Sequence, residues 1–180
     1  MKTKLIILRG NSGSGKTTIA KSLQDRFGDG TLLVSQDVVR RDMLNVRDRK
    51  GNLSLELIRQ ITEYGKGKCE FVILEGILVK ERYGEMLMDL IRFYEGNADV
   101  YYFDLPFEKT VERHQSRELT DAFGEESLRA WWRPKDYLGT AGETMLTEEM
   151  TEEDILDLIC SSGHRNAEHK IKFSQEMKGK

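Results

Sequence analysis

The sequence predicts an α/β fold in which a five-stranded parallel sheet carries helices on both faces. Two observations carry that prediction. Short apolar runs alternate with amphipathic helical segments, at the spacing of strand–helix–strand units. The first run, Leu5–Leu8, is apolar at every position, as a strand covered on both faces must be. The 180 residues make about one domain, enough to bury a substantial core.

The elements follow in order. Strands are expected at Leu5–Leu8, Leu32–Val34, Phe71–Leu74, Val100–Phe103 and Thr144–Leu146. Helices are expected at Lys16–Phe27, Asp37–Val46, Ser54–Tyr64, Tyr83–Tyr94, Phe107–Arg117, Glu125–Trp132 and Glu152–Cys160. Thr151, with Asp154 three residues on, is a capping pattern for the last of these. There are two prolines, Pro106 and Pro134, and no repeat, linker or low-complexity segment divides the chain. One domain over residues 1–161 is expected, followed by a polar tail over 162–180.

Between the first strand and the first helix lies Gly10-Asn11-Ser12-Gly13-Ser14-Gly15-Lys16-Thr17-Thr18. Glycines let the backbone turn and approach a ligand. Successive N–H groups can form a nest for phosphate oxygens, and the helix start adds positive potential. The spacing Gly10-x-x-x-x-Gly15-Lys16-Thr17, with a strand before it and a helix after it, resembles the Walker A loop of P-loop NTPases. The resemblance implies a three-layer α/β/α sandwich that binds ATP with Mg²⁺ on Gly10 to Thr18. Lys16 would reach the β- and γ-phosphates, and the Thr17 hydroxyl would ligate Mg²⁺.

In parallel sheets of this kind ligands bind beyond the carboxyl ends of the strands, so residues just after each strand are the functional candidates. Asp37 follows the second strand and can take a proton from an attacking hydroxyl. Arg40 shares its helical face and can orient an anionic group. The alternative is that Asp37 or Ser35 only caps a helix. The Asp37-x-x-Arg40 spacing is similar to that of polynucleotide 5′-hydroxyl kinases and zeta-toxin-type kinases, which implies base and acceptor-holding roles. Four apolar residues end in Glu75-Gly76 after the third strand, a Walker B arrangement in which Glu75 can organise Mg²⁺. Many relatives carry Asp there.

After the fourth strand, Arg113 and Arg117 lie one helical turn apart. This segment resembles the start of the mobile LID of small P-loop kinases. A LID of about residues 113–138 is implied, whose arginines stabilise the transferring phosphoryl group and help exclude water. Solvated arginines on a charged helix are the plainer alternative. His114 is assigned no role. Trp131 and Trp132 point to different sides of their helix, so at least one is expected in a packed position, and Arg133, Lys135 and Tyr137 are candidates for contact with substrate or nucleotide. The resemblance also places Gly139–Glu143 in a region that packs near the adenine.

Composition narrows the function. The net charge is −3, from 28 basic and 31 acidic residues, which argues against a broad grip on duplex nucleic acid. Acids gather in Glu143–Asp157; bases are denser in Arg40–Lys50 and beyond His164. Apolar runs are far shorter than a membrane span, no secretory signal is visible, and Cys69 and Cys160 are too few for a disulfide framework, so a cytoplasmic protein is expected. The guanine-reading Asn-Lys-x-Asp motif of GTPases is absent. What remains resembles a small P-loop kinase moving the γ-phosphate of ATP to a hydroxyl. A nucleoside, a nucleic-acid 5′ end, a sugar or an antibiotic would each fit as acceptor. The alternative is an ATP-binding switch that acts on a protein partner.

Overall fold

A computed structural model gives the fold and describes residues 2–115 and 125–162. Every residue of β1 (Lys4–Gly10) is buried. The strand is longer than its apolar core because both flanking cations are paired. Lys4 Nζ lies 2.7 Å from Asp99, and Arg9 reaches two carboxylates. β2 (Leu32–Ser35), β3 (Phe71–Gly76), β4 (Ala98–Phe103) and β5 (Glu143–Leu146) complete one sheet in the order β2-β3-β1-β4-β5. All four pairings are parallel. The chain therefore leaves the centre for one edge, returns to β3, then crosses to the other side of β1. The loop after β1 opens at the point where that order reverses, which is where such sheets bind ligands.

α1 (Lys16–Phe27) buries Ile19, Ala20 and Leu23, a stripe at helical spacing. α2 (Ser54–Gly65) buries Ile58, and α3 (Lys80–Phe93) buries Tyr83, Met86, Leu87 and Leu90. The α2 and α3 residues join Leu5, Ile7, Val72 and Leu74 of the sheet in one core cluster. Each such side chain contributes about 1.5–3 kcal/mol through its removal from water. α3 starts three residues before the expected Tyr83, since its first turn, Lys80-Glu81-Arg82, is polar and carries no apolar signal.

The helix expected over Asp37–Val46 is instead a wide, π-type turn over Val38–Met43. Arg40 ties the end of this turn to the chain that follows it. Its guanidinium donates to the Val46 carbonyl at 3.3 Å while the Val46 N–H donates to the Arg40 carbonyl at 2.9 Å. The chain closes on this cation rather than continuing a regular helix. Such turns often sit at functional sites.

α4 (Phe107–Gln115) leads into the segment expected to form a LID, residues 113–138, and α5 (Glu125–Trp131) lies within it. The last two residues expected in α4, Ser116 and Arg117, lie outside the described residues, as does the tail beyond residue 162. The chain divides into two units, Met1–Glu148 and Glu149–Lys180. In the second, residues 152–162 form a helix. Thr151 and Asp154 cap it reciprocally: Asp154 N–H donates to Thr151 Oγ1 at 3.1 Å, and Thr151 N–H to the Asp154 carboxylate at 2.9 Å. Among the described residues no helix is long and apolar enough to cross a membrane.

Candidate active site

The loop after β1 is shaped by its glycines. Gly13 has φ 77°, and a Cβ there would lie 2.7 Å from the Thr110 carbonyl oxygen, so no other residue fits between this loop and α4. Gly15, at φ 98°, ends the loop and opens α1. Gly10 is the last residue of β1. Lys16 is buried and folds back over the loop, donating to the Asn11 carbonyl at 2.7 Å and to Ser14 Oγ at 3.1 Å. It crosses the concave face where phosphates would lie. Thr17 and Thr18 are exposed on the first turn of α1.

Parallel register aligns the next groups. Ser35 of β2 stands opposite Glu75 of β3, and Leu8 of β1 stands on its other side. Ser35 Oγ donates to Glu75 Oε1 at 2.5 Å, and Thr17 Oγ1 donates to Glu75 Oε2 at 3.3 Å. Neither Ser35 nor Asp37 caps a helix by its side chain. Asp37 instead faces the loop and pairs with Arg40 at 2.8 Å and with Arg41 at 3.4 Å. Ser12, Gly13, Gly15, Lys16, Thr17, Asp37 and Glu75 converge on one polar pocket of about 90 Å³. The hydroxyl of Thr17 and the carboxylate of Glu75 are hard oxygen donors side by side, a donor set that suits Mg²⁺, which keeps much of its water and needs few protein ligands.

Gln36 packs directly against Gly76, beside Glu75. A Cβ on Gly76 would lie 2.4 Å from Gln36 Oε1, and that oxygen accepts the Leu78 N–H at 3.0 Å. Leu78 is a buried non-glycine residue at φ 45°, and its carbonyl is gripped by Arg9 from the other side.

Arg113 reaches the loop from α4. Its guanidinium donates to the Ser14 carbonyl at 2.7 Å. Arg117 lies outside the described residues. The Asn11 side chain turns toward the LID segment, exchanging two hydrogen bonds of 2.9 Å with the backbone of Arg133. Trp132 packs edge-on against Phe107, while Trp131 is exposed and lines a second cavity. Tyr137 donates to Asp104 at 2.6 Å, and that bond pushes its phenol up to about 12. In the Gly139–Glu143 stretch, the Glu143 carboxylate accepts the N–H groups of Leu138 and Gly139 and pairs with Arg9, so it closes its own loop.

Three residues escaped the sequence reading. Arg47 and Arg82 face the second cavity with Arg40 and Arg133. They come from separate segments and share no spacing signal. Arg9 carried a signal, a cation at the end of a wholly buried strand, because such a charge must be paired.

The chain matches the family model described as an AAA domain over residues 5–133, a span that holds the loop, Asp37, Glu75 and Arg113. No curated protein sequence is a match. Among solved structures, it resembles a gluconokinase from Sinorhizobium meliloti 1021, with TM-score 0.66 and 15% identity over 96% of this chain and 98% of that one. It also resembles the APS kinase of Mycobacterium tuberculosis, solved with AMPPNP and APS, with TM-score 0.62 and 16% identity over 89% and 96%. The tunicamycin resistance protein of Deinococcus radiodurans aligns with TM-score 0.62 and 14% identity over 89% and 95%. At such identities the likeness is one of fold. The chain belongs to the AAA domain family of P-loop proteins, and its fold is the one small P-loop kinases share.

Proposed function

We propose that this protein is an ATP-dependent phosphotransferase that moves the γ-phosphate of ATP to a hydroxyl of a small acceptor. One observation carries the reading: Asp37, Glu75 and the phosphate-binding type of loop line a single pocket. A switch ATPase needs the loop and Glu75 but has no use for a carboxylate facing them from just after β2. A cytoplasmic setting, where ATP is available, goes with this reading.

The roles follow from position. The loop N–H groups and Lys16 bind the phosphates. Asp37, oriented by Arg40 and Arg41, accepts the acceptor's hydroxyl proton. The freed oxygen forms a bond to the γ-phosphorus, the bond from that phosphorus to the bridging oxygen breaks, and ADP leaves with the electron pair. Arg113, already against the loop, stabilises charge on the transferring group, and Arg117 is proposed to join it. Thr17 and Glu75 would hold Mg²⁺, which supplies neutralisation of phosphate charge. Most of the rate enhancement is then positioning and charge stabilisation.

The test is ATP consumption at fixed Mg²⁺ over a panel of nucleosides, 5′-hydroxyl oligonucleotides, sugars and antibiotic hydroxyls. Asp37→Asn is expected to lower acceptor-stimulated turnover by roughly 10²–10⁴-fold with ATP affinity nearly unchanged. Full activity in that variant would remove Asp37 from the role of base.

A further inference from the structure

Beside the small polar pocket lies a cavity of about 580 Å³, in the range that holds a whole small ligand. Among the described residues its lining includes Arg40, Arg41, Arg47, Arg82 and Arg133, and one acid, Asp48. Ile77 lines both spaces, so they adjoin. The cavity lies past the ends of β2 and β3, on the Asp37 side of the loop, where an acceptor rather than the nucleotide would sit.

We propose, building on the phosphotransferase reading, that the acceptor carries at least two negative charges of its own, as a phosphate-type group, on a body with a flat or apolar face. The charge balance points there. A chain of net charge −3 gathers five arginines around one space. Asp48 is already engaged by Arg82 at 3.1 Å and by the Tyr83 hydroxyl at 2.7 Å. Asp37 offsets part of Arg40 and Arg41 from outside the lining. Among the described residues around this space, arginines still outnumber acids. One carboxylate is satisfied by one bidentate arginine, so a surplus of this size matches a more highly charged group. Arg40 and Arg82 also each hold a buried Nε–H with no acceptor, a desolvation cost that a nearby anion would offset.

The rest of the lining describes the remainder of the ligand. Ile77, Val79 and the indole of Trp131 offer an apolar wall on which a ring or sugar face can lie. Arg47 also lines a shallower groove with Arg49 and Lys50, so positive potential extends outward from the cavity mouth and would draw an anion in.

The test uses the full chain with its loop saturated by AMPPNP and Mg²⁺, titrated calorimetrically with inorganic phosphate, ribose 5-phosphate and ribose. The two phosphate-bearing probes are expected to bind and ribose is not. Arg82→Gln and Arg47→Gln are each expected to weaken the ribose 5-phosphate complex by roughly tenfold. Arg92→Gln, outside the cavity, should leave it unchanged. Because Arg47 is on the surface, its variant keeps the test alive if the Arg82 change disturbs folding. The proposal is overturned if ribose binds as well as ribose 5-phosphate, if neither phosphate probe binds at millimolar concentration, or if both arginine variants bind like the parent. AMPPNP affinity is read separately beforehand. Its absence would undo the phosphotransferase reading, whereas phosphate binding in the cavity speaks only to the acceptor.

Discussion

Arg9 and the arginines of the large cavity use the same side chain in opposite ways. Arg9 is fully buried, and each of its three nitrogens donates: to the Leu78 carbonyl at 3.0 and 3.2 Å, to Asp136 at 3.0 Å and to Glu143 at 3.2 Å. Burial pulls its guanidinium below the usual range, and the two carboxylates oppose that pull. The cavity arginines outnumber the acids beside them and face an open space. A buried cation bonded through every nitrogen is a brace. Cations in surplus around a cavity are poised for an anion, and they add little to the stability of the empty fold. The β4–β5 side of the site is therefore built to stay, and the β2–β3 side is built to bind.

The largest expected effect falls on the braced side. Arg9→Met removes the cation and leaves Glu143, with a nearly inaccessible side chain, and Asp136 without it. Breaking a buried pair in this way costs roughly 3–5 kcal/mol. Urea unfolding should show a much lower midpoint with an unchanged slope. Arg47→Gln, on the binding side, should stay within about 0.5 kcal/mol of the parent. If the two variants lost equal stability, the division between brace and binding surface would fail.

A middle-sized effect sits where the two sides meet. Leu78 is held at an unfavourable φ of 45° by Arg9 on its carbonyl and Gln36 on its N–H. Such a conformation costs about 1–3 kcal/mol and persists only when its surroundings enforce it. Its neighbours Ile77 and Val79 line the large cavity. Gln36→Leu leaves the Leu78 N–H unpaired, at a cost of about 1–3 kcal/mol, and frees this strained turn to relax. Gln36 acts through the turn and is a positioning residue. The acceptor KM should rise several-fold more than that for ATP, with kcat changed less. An equal rise in both would mean that the turn serves the nucleotide pocket instead.

The two sides also differ in how much of them could be read in advance. The loop at Gly10–Thr18 was legible because its chemistry is local, with donors and cation within nine consecutive residues. The parallel sheet was legible from runs buried on both faces. The positions of Asp37 and Glu75 followed from that topology, since parallel strands end on the same edge. The wide turn at Val38–Met43 was not legible, because sequence pattern does not distinguish a π-type turn from a regular helix. The cavity was hidden further. Arg47 and Arg82 each look like solvated surface in sequence; Arg133 was a candidate for ligand contact, but only the fold brings the three to one space.

The smallest effect tests whether the braced side is as settled as its distances suggest. Tyr137 donates to Asp104 at 2.6 Å and packs edge-on against Tyr102, 5.1 Å between ring centres. The hydrogen bond, with burial adding to it, raises its phenol to about 12. An unfolded tyrosine ionises near pH 10. The folded state thus keeps the proton longer, so the stabilisation is complete below about pH 10 and is lost as the pH rises toward 12. Solvent near Tyr137 screens the interaction, so the loss is modest. Tyr137→Phe should unfold slightly more readily than the parent at pH 8, with the difference shrinking as the pH climbs and the parent's phenol ionises. The phenolate absorbance that Tyr137→Phe removes from the parent's titration is the signal of Tyr137. If that difference titrates near pH 10 in the folded protein, this hydrogen bond opens freely and the brace ends at Arg9 and Glu143.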